Sequence, residues 1–349
     1  VTVKGKGFQL AEENQTKWHA PGLFDKVTGQ IQKSAPLAPE APKYQDVFGH
    51  TMIELAKKDE RIMGVTPAMP SGCSLKYMMA EMPDRAFDVG IAEQHAVTFS
   101  AGLATQGMVP FCNIYSTFMQ RAYDQVLHDV CIESLPVVFA LDRGGIVGEA
   151  GPTPHGLFDF SYLRCLPNMI IMSPKDENEL RRMIVTALAH EGPAAIRYPR
   201  GLSQGVMLDK QINPLKIGRS ETLTQGEDLL ILAIGRGVVE AMDAHRRLSN
   251  ENIMTTVVNC RFVKPLDIEA ILALVKKIPR VITVEENVRM GGFGSSILEA
   301  LMDAGASGCQ VRRIGVDDTF VTHGTQKELR REYQVDADAI VKAAHDLIQ

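Results

Sequence analysis

The sequence predicts an α/β protein made of two doubly wound domains. Three observations carry this expectation. Short, nearly continuous apolar runs such as LPVVFAL, residues 135–141, read as strands covered on both faces, as in a parallel sheet. These runs alternate with amphipathic stretches of helical length, the βαβ pattern. The alternation stops at residues 201–216 and then resumes, as expected for two sheets joined by a linker. A chain of 349 residues is long enough to bury two such cores.

The opening residues, VTVKGKGF, read as the end of a strand, and WH at Trp18-His19 reads as a packing anchor in a loop. Pro36, Pro39 and Pro42 make residues 32–43 a linker, because proline removes a donor and biases its predecessor away from the helix. From Tyr44 the pattern is regular. Helices are expected at 45–58, 75–82, 93–105 and, as one long helix, 117–133. The matching strands fall at 61–66, 86–90, 109–114 and 135–141. Residues 169–172 and 194–198 read as strands around a helix at 176–191, whose first turn is acidic. In the second half, strands are expected at 228–234, 252–259, 280–285 and 310–314. Helices are expected to end near 249 and to cover 268–277, 297–304, 327–331 and 337–348.

Composition excludes several classes. A formal charge of −5 gives no electrostatic case for nucleic acid or an anionic membrane, and no apolar run is long enough to span a bilayer. The six cysteines show no C-x-x-C and the nine histidines no zinc spacing, so no metal site is expected in this chain. The absence of a targeting pattern leaves bacterial cytoplasm or plastid stroma as the expected compartment. Gly235-Arg236-Gly237 lacks the third glycine of a dinucleotide fingerprint.

In doubly wound sheets ligands sit beyond the carboxyl ends of the strands. That rule places residues 91–93, Tyr115 and 142–155 on one rim. Residues 144–156 contain five glycines and two prolines, a composition more often functional than idle. Glu93 opens a helix, so it is either an N-terminal cap favoured by the helix dipole or a functional carboxylate.

The motifs together are specific. KGKGF and AEENQTKWHA, VTPAMPSG, FDVGIAEQHAV, IYSTFMQRAYDQVLHDV, LPVVFALDRGGIVG, AIRYPRG, RFVKPLD, TVEENVRMGGFGS and HGTQKELR occur in one order along nearly the whole chain. In them the chain resembles the 1-deoxy-D-xylulose-5-phosphate synthases, thiamine-diphosphate enzymes of the transketolase group. The resemblance implies residues 1–43 as a remnant of the diphosphate-binding domain with a linker. It further implies a pyrimidine-binding domain at 44–201, a linker at 202–215 and a transketolase C-terminal domain at 216–349. It implies condensation of pyruvate with D-glyceraldehyde 3-phosphate, releasing CO2, as the first step of the non-mevalonate isoprenoid pathway. The implied cofactors are thiamine diphosphate and Mg2+, with the metal ligands on the diphosphate-binding domain. A homodimer is implied, as is a chain or segment supplying that domain.

By the same resemblance Glu93 and His19 are catalytic, Glu93 sharing a proton with the pyrimidine ring. Phe118, Ile91 and Phe8 are cofactor neighbours, although Phe8 stands where the family usually has a tyrosine. Tyr115 and Arg121 line the substrate channel. A buried Arg121 is expected to need a carboxylate or ligand partner. Arg143 and Arg200 hold the substrate phosphate, a task suited to guanidinium groups, and His155 is a further substrate contact. One loop departs from the family pattern G-x-D-G-x-T-H-x-G. Ala150 and Pro154 replace its Asp and His, while Glu149 and His155 carry those chemistries one position away. The displaced groups either recover the same positions by a rearranged backbone or point elsewhere. The competing readings are a non-catalytic dimerisation or regulatory partner, and a transketolase or E1-type enzyme with another acceptor.

Overall fold

The computed structural model describes residues 3, 5–19, 21–32 and 40–349. It divides into two units, Val1–Glu40 and Ala41–Gln349. In the first, residues 5–7 form a turn, and the expected strand end lies partly outside the described residues. The expected loop around Trp18 is instead two short helices, Gln9–Glu13 and Gln15–Trp18. Asn14 explains the break: its side-chain oxygen accepts the Lys17 N–H at 3.0 Å and caps the second helix. Trp18 packs edge-on against Phe8 and Phe24, with ring centroids 5.1 and 4.9 Å away. Most of the proline-rich linker lies outside the described residues.

The second unit holds two sheets. The first contains β1 (Ile62–Thr66), β2 (Ala86–Asp88), β3 (Val109–Tyr115), β4 (Val138–Asp142), β5 (Ile170–Met172) and β6 (Ala194–Arg197). The second contains β7 (Glu221–Thr222), β8 (Leu229–Ala233), β9 (Thr255–Asn259), β11 (Arg280–Val288) and β12 (Gln310–Val316). The remaining strand, β10 (Phe262–Lys264), leaves the second half of the chain and pairs antiparallel with β5. The orders are β10-β5-β6-β4-β3-β1-β2 and β12-β11-β8-β9-β7, parallel apart from the edge strands β10 and β7. The first order reverses between β1 and β3, which opens a crevice at their carboxyl ends. Strands β3 and β4 are buried at every position, as their continuous apolar runs require.

Four expectations are corrected. The single helix at 117–133 is a chain of short α, 3-10 and π turns from Ser116 to Cys131. Met119, Ala122, Val126, Val130 and Cys131 along this segment are all buried in the core, at the spacing that keeps one face of a helical segment apolar. The helix expected at 297–304 begins earlier and spans Phe293–Asp303, because Glu285 caps it from β11. Its carboxylate accepts the N–H groups of Phe293 and Gly294, each at 2.7 Å. The strand expected at 135–141 is β4, shifted towards Asp142. Strands β7 and β10 were not anticipated, being too short to show a period. No helix among the described residues is long and apolar enough to cross a membrane.

The sheets are joined by buried charge. Arg197 ends β6 at 3% exposure, and its Nε donates to Asp159 Oδ2 at 3.1 Å. Ser116 Oγ donates to the same oxygen at 2.8 Å. Arg197 Nη2 donates to the carbonyl oxygens of Gly156 and of Glu286 on β11. The guanidinium also lies over the Phe160 ring, 4.3 Å from its centroid. Asp159→Ala is expected to leave this cation buried without its counter-charge and to cost about 3–5 kcal/mol. A lowered urea midpoint at constant m-value would register that loss, whereas an unmoved midpoint would show the pair to be dispensable.

Candidate active site

Four segments of the first sheet, after β2, β3, β4 and β6, end on one rim, and each positions a distinct group. The turn after β2 leads to the helix Glu93–Thr105. Its first residue, Glu93, is 4% exposed, and no hydrogen bond reaches its carboxylate among the described residues. Its nearest opposite charge is Arg121 Nη1, 3.7 Å from Oε2. A carboxylate this buried requires a partner beyond one distant guanidinium. Arg121 itself is 63% exposed at its side chain. The expectation of a buried arginine is thereby corrected: Arg121 lies on the face of its segment away from buried Met119, Ala122 and Val126, and Glu93 is its carboxylate partner. Ile91 is 80% exposed on the turn that precedes Glu93.

At the end of β3, Tyr115 stacks on Phe118 with centroids 5.6 Å apart and planes at 23°. Burial pushes the Tyr115 phenol up to about 12, against the opposing pull of the nearby Arg143 cation. Gly72 makes room for this ring, since a Cβ there would lie 1.9 Å from the Tyr115 hydroxyl. The guanidinium of Arg143, which follows β4, sits over the Tyr115 ring, 4.0 Å from its centroid.

Arg143 follows β4 with a φ of +60°, a left-handed conformation that costs a side-chain-bearing residue on the order of 1–3 kcal/mol. Asp142 Oδ1 accepts the Arg143 N–H at 2.6 Å and so holds that turn. Asp142 is fully buried, its Oδ2 has no partner among the described residues, and burial raises its carboxyl to about 7. Sequence reasoning placed Asp142 on the rim without giving it a role. Its signal was available: the last residue of a buried strand, directly before a glycine-rich loop.

Arg143 and Arg200 come together. With Lys43, Gln45, Glu149 and Gln326 they line a cavity of about 460 Å³. Arg200 Nη1 donates to Val147 O at 2.9 Å and lies 3.9 Å from Glu149 Oε2. Of the two displaced loop groups, Glu149 therefore reaches this cavity. His155 does not: it is 3% exposed, with both ring nitrogens bonded to main chain. Its Nδ1 accepts the Val147 N–H at 3.0 Å, which leaves Nε2–H to donate to Thr322 O at 3.0 Å. Burial lowers its pKa, so it is a neutral staple between the glycine loop and the C-terminal half, and the expected substrate contact is corrected. The loop ends are held by reciprocal Gly145–Gly156 hydrogen bonds of 2.7 and 3.0 Å. Only glycine fits at 156, where a Cβ would meet Ser116 Oγ at 2.4 Å and Arg143 O at 2.5 Å.

Gln326 and Lys43 escaped sequence reasoning, Gln326 because nothing local marks a contact made 180 residues away. His19 and Phe8 belong to the first unit; His19 is exposed there and Phe8 packs on Trp18. Among the described residues no group of three or more His, Cys, Asp or Glu is arranged to hold a metal ion.

Comparisons with known proteins agree with this layout. Residues 40–205 match the family model described as transketolase, pyrimidine binding domain, and residues 218–340 that of transketolase, C-terminal domain. The chain is 54% identical to the 1-deoxy-D-xylulose-5-phosphate synthase of Cytophaga hutchinsonii over 99% of its own length and 55% of the relative. With synthase 1 of Geobacter sulfurreducens it shares 52% identity over 98% of this chain and 53% of the relative. The chain thus spans about half the length of the curated relatives it matches. A solved structure described as a split gene transketolase, inactive beta4 tetramer, superposes with a TM-score of 0.79 at 27% identity, covering 88% of this chain and 98% of that one. Transketolase from Leishmania mexicana shares the fold at a TM-score of 0.72 and 19% identity, over 90% of this chain and 47% of that one. The chain belongs to the transketolase family, carrying its pyrimidine-binding and C-terminal domains, and is similar to the 1-deoxy-D-xylulose-5-phosphate synthases.

Asp142 makes stability depend on pH. Its folded pKa of about 7 lies above the unfolded value of about 3.9, so the native state binds more protons between those limits and loses stability as pH rises through them. Asp142→Asn is expected to be more stable than the parent at pH 8 and to lose that advantage near pH 4. Urea midpoints at the two pH values test this, and an advantage independent of pH would contradict it.

Proposed function

We propose that this chain is the pyrimidine-binding and C-terminal part of a 1-deoxy-D-xylulose-5-phosphate synthase, a transketolase-type transferase. It condenses pyruvate with D-glyceraldehyde 3-phosphate and works as a homodimer, together with a chain or segment that supplies the diphosphate-binding domain. The observation that carries this reading is the rim itself: a buried, donor-poor Glu93 at one end and the paired Arg143 and Arg200 at the other.

The residues fit thiamine diphosphate. When bound, that cofactor supplies the electron sink that decarboxylation of a 2-oxo acid requires. Glu93 answers its own lack of a hydrogen-bond donor by sharing a proton at the pyrimidine ring nitrogen, and Arg121 keeps the carboxylate poised. Phe118, backed by Tyr115, offers an aromatic face to the ring, and the exposed Ile91 offers an apolar one. Arg143 and Arg200 bind the phosphate of the acceptor, with Tyr115 fixing the direction of Arg143. His19 and Phe8 enter through the resemblance of their segment, as a second catalytic group and a cofactor neighbour. Mg2+ belongs, in this reading, to ligands on the diphosphate-binding domain.

The family's Asp and His, absent at positions 150 and 154, set the reading's sharpest demand, because only Glu149 returns to the cavity. A similar structure described as an inactive split-gene form supports the need for a second chain.

The chain alone is expected to release no CO2 from pyruvate, and release is expected once it is mixed with the diphosphate-binding half of a synthase. No release in either arrangement would favour the non-catalytic partner instead. In the active mixture Glu93→Gln should lower turnover by about 10²–10⁴-fold with the fold intact by circular dichroism. Arg143→Met and Arg200→Met should each raise KM for D-glyceraldehyde 3-phosphate about 10–100-fold, from the loss of a charged hydrogen bond. KM for pyruvate should hold; an equal rise for both substrates would refute the phosphate assignment.

A further inference from the structure

The cavity holding Arg143 and Arg200 is lined by two loops of the first sheet, by Lys43 and Gln45, and by Gln326 from the C-terminal half. Residues 143–149 follow β4 and residues 198–201 follow β6. The two loops share few main-chain bonds: Gly144 N–H donates to Tyr198 O at 2.9 Å, at the inner end of both. Further out, the separation of the loops is set by side chains. Arg200 Nη1 reaches across to Val147 O. Gln326 does so more completely. Its Nε2 donates to Ile146 O at 3.0 Å on one loop and to Arg200 O at 3.2 Å on the other, with Val147 O at 3.5 Å.

Gln326 is itself held in place. It is the first residue of the helix Gln326–Glu332, whose N-cap Thr325 and Glu328 form a reciprocal capping box. Behind it, Arg330 pairs with Glu286, and Glu286 Oε2 accepts the Ile146 N–H at 3.3 Å. Three carbonyl oxygens around one amide nitrogen also fix which way the amide faces, since its oxygen would be repelled there.

We propose that Gln326 is a positioning residue through which the C-terminal domain sets the spacing of Arg143 and Arg200, and hence the affinity of that cavity for a phosphate-bearing acceptor. The inference rests on the anion-binding reading of the cavity given above. Without the amide donors, the Ile146 and Arg200 carbonyls lose their shared partner. The loops then part, and the guanidinium groups no longer converge on one anion.

Inorganic phosphate titrated by calorimetry into the full chain at fixed ionic strength tests it. The variants are Gln326→Met, which keeps length and removes the donors, Gln326→Glu, which keeps shape and places acceptor against acceptor, and the double variant R143M/R200M. Phosphate is expected to bind the parent, to bind Gln326→Met about fivefold to tenfold more weakly, to bind Gln326→Glu more weakly still, and not to bind R143M/R200M. If Gln326→Met and Gln326→Glu both bind as the parent does, the positioning role falls while the anion site stands. If R143M/R200M binds as well as the parent, or the parent binds no phosphate, the anion site falls and the positioning role with it. In the reconstituted enzyme, Gln326→Met should raise KM for D-glyceraldehyde 3-phosphate but not for D-glyceraldehyde. Equal rises for both acceptors would reduce Gln326 to a general structural contact and overturn the proposal.

Discussion

The structure turns on one buried cation. Arg197 closes β6, and its guanidinium bonds to a carboxylate on the helix Asp159–Leu163, a carbonyl at the end of the glycine loop and a carbonyl on β11. A charge out of water is tolerated only when it is paired and its donors are used. Satisfying this one places the loop and both sheets together. The loop has accommodated it in turn: a Cβ on Gly144 would approach Arg197 Nε to 2.3 Å. The position of Arg143 depends on where that loop begins.

Above this support the rim divides its chemistry. The β2 end carries a buried carboxyl with little to bond to, and the β4 and β6 ends carry guanidinium cations that face a cavity. The C-terminal half adds Gln326 to the rim's cavity and also governs the rim's shape. Glu286 and Gln326 bond to main chain of the glycine loop, and the Thr322 carbonyl accepts from the loop's His155 side chain. The C-terminal half is therefore a mould for the loop as well as a domain in its own right.

Much of this was legible in the residues. The helix Glu93–Thr105 and the final helix Ala337–Ile348 fall where periodicity puts them, because each has one apolar face and clear boundaries. The rule about carboxyl ends put residues 91–93, Tyr115 and 142–155 on one rim, while Phe118 and Arg200 entered through the resemblance. The fold stacks Phe118 on Tyr115 and sets Arg200 on the cavity that Arg143 lines. What periodicity missed was set by distant contacts. Glu285 starts a helix eight residues later, a π turn reshapes the segment before Cys131, and β10 joins a sheet formed by the other half of the chain. His155 misled for a related reason. A histidine beside the family's own position looks like a functional group, and only the fold shows that main chain has taken both nitrogens.

Strand β10 carries a consequence for how the two halves coexist. It covers the free edge of β5, presenting Phe262 opposite Met172 and Lys264 opposite Ile171. An uncovered sheet edge is a template for pairing with other chains. The pyrimidine-binding half thus borrows its edge guard from sequence that lies more than fifty residues beyond its last strand. Cutting between the two halves would do more than separate them: it would expose a ready seed for aggregation on β5 while leaving β10 as a loose, sticky strand on its neighbour.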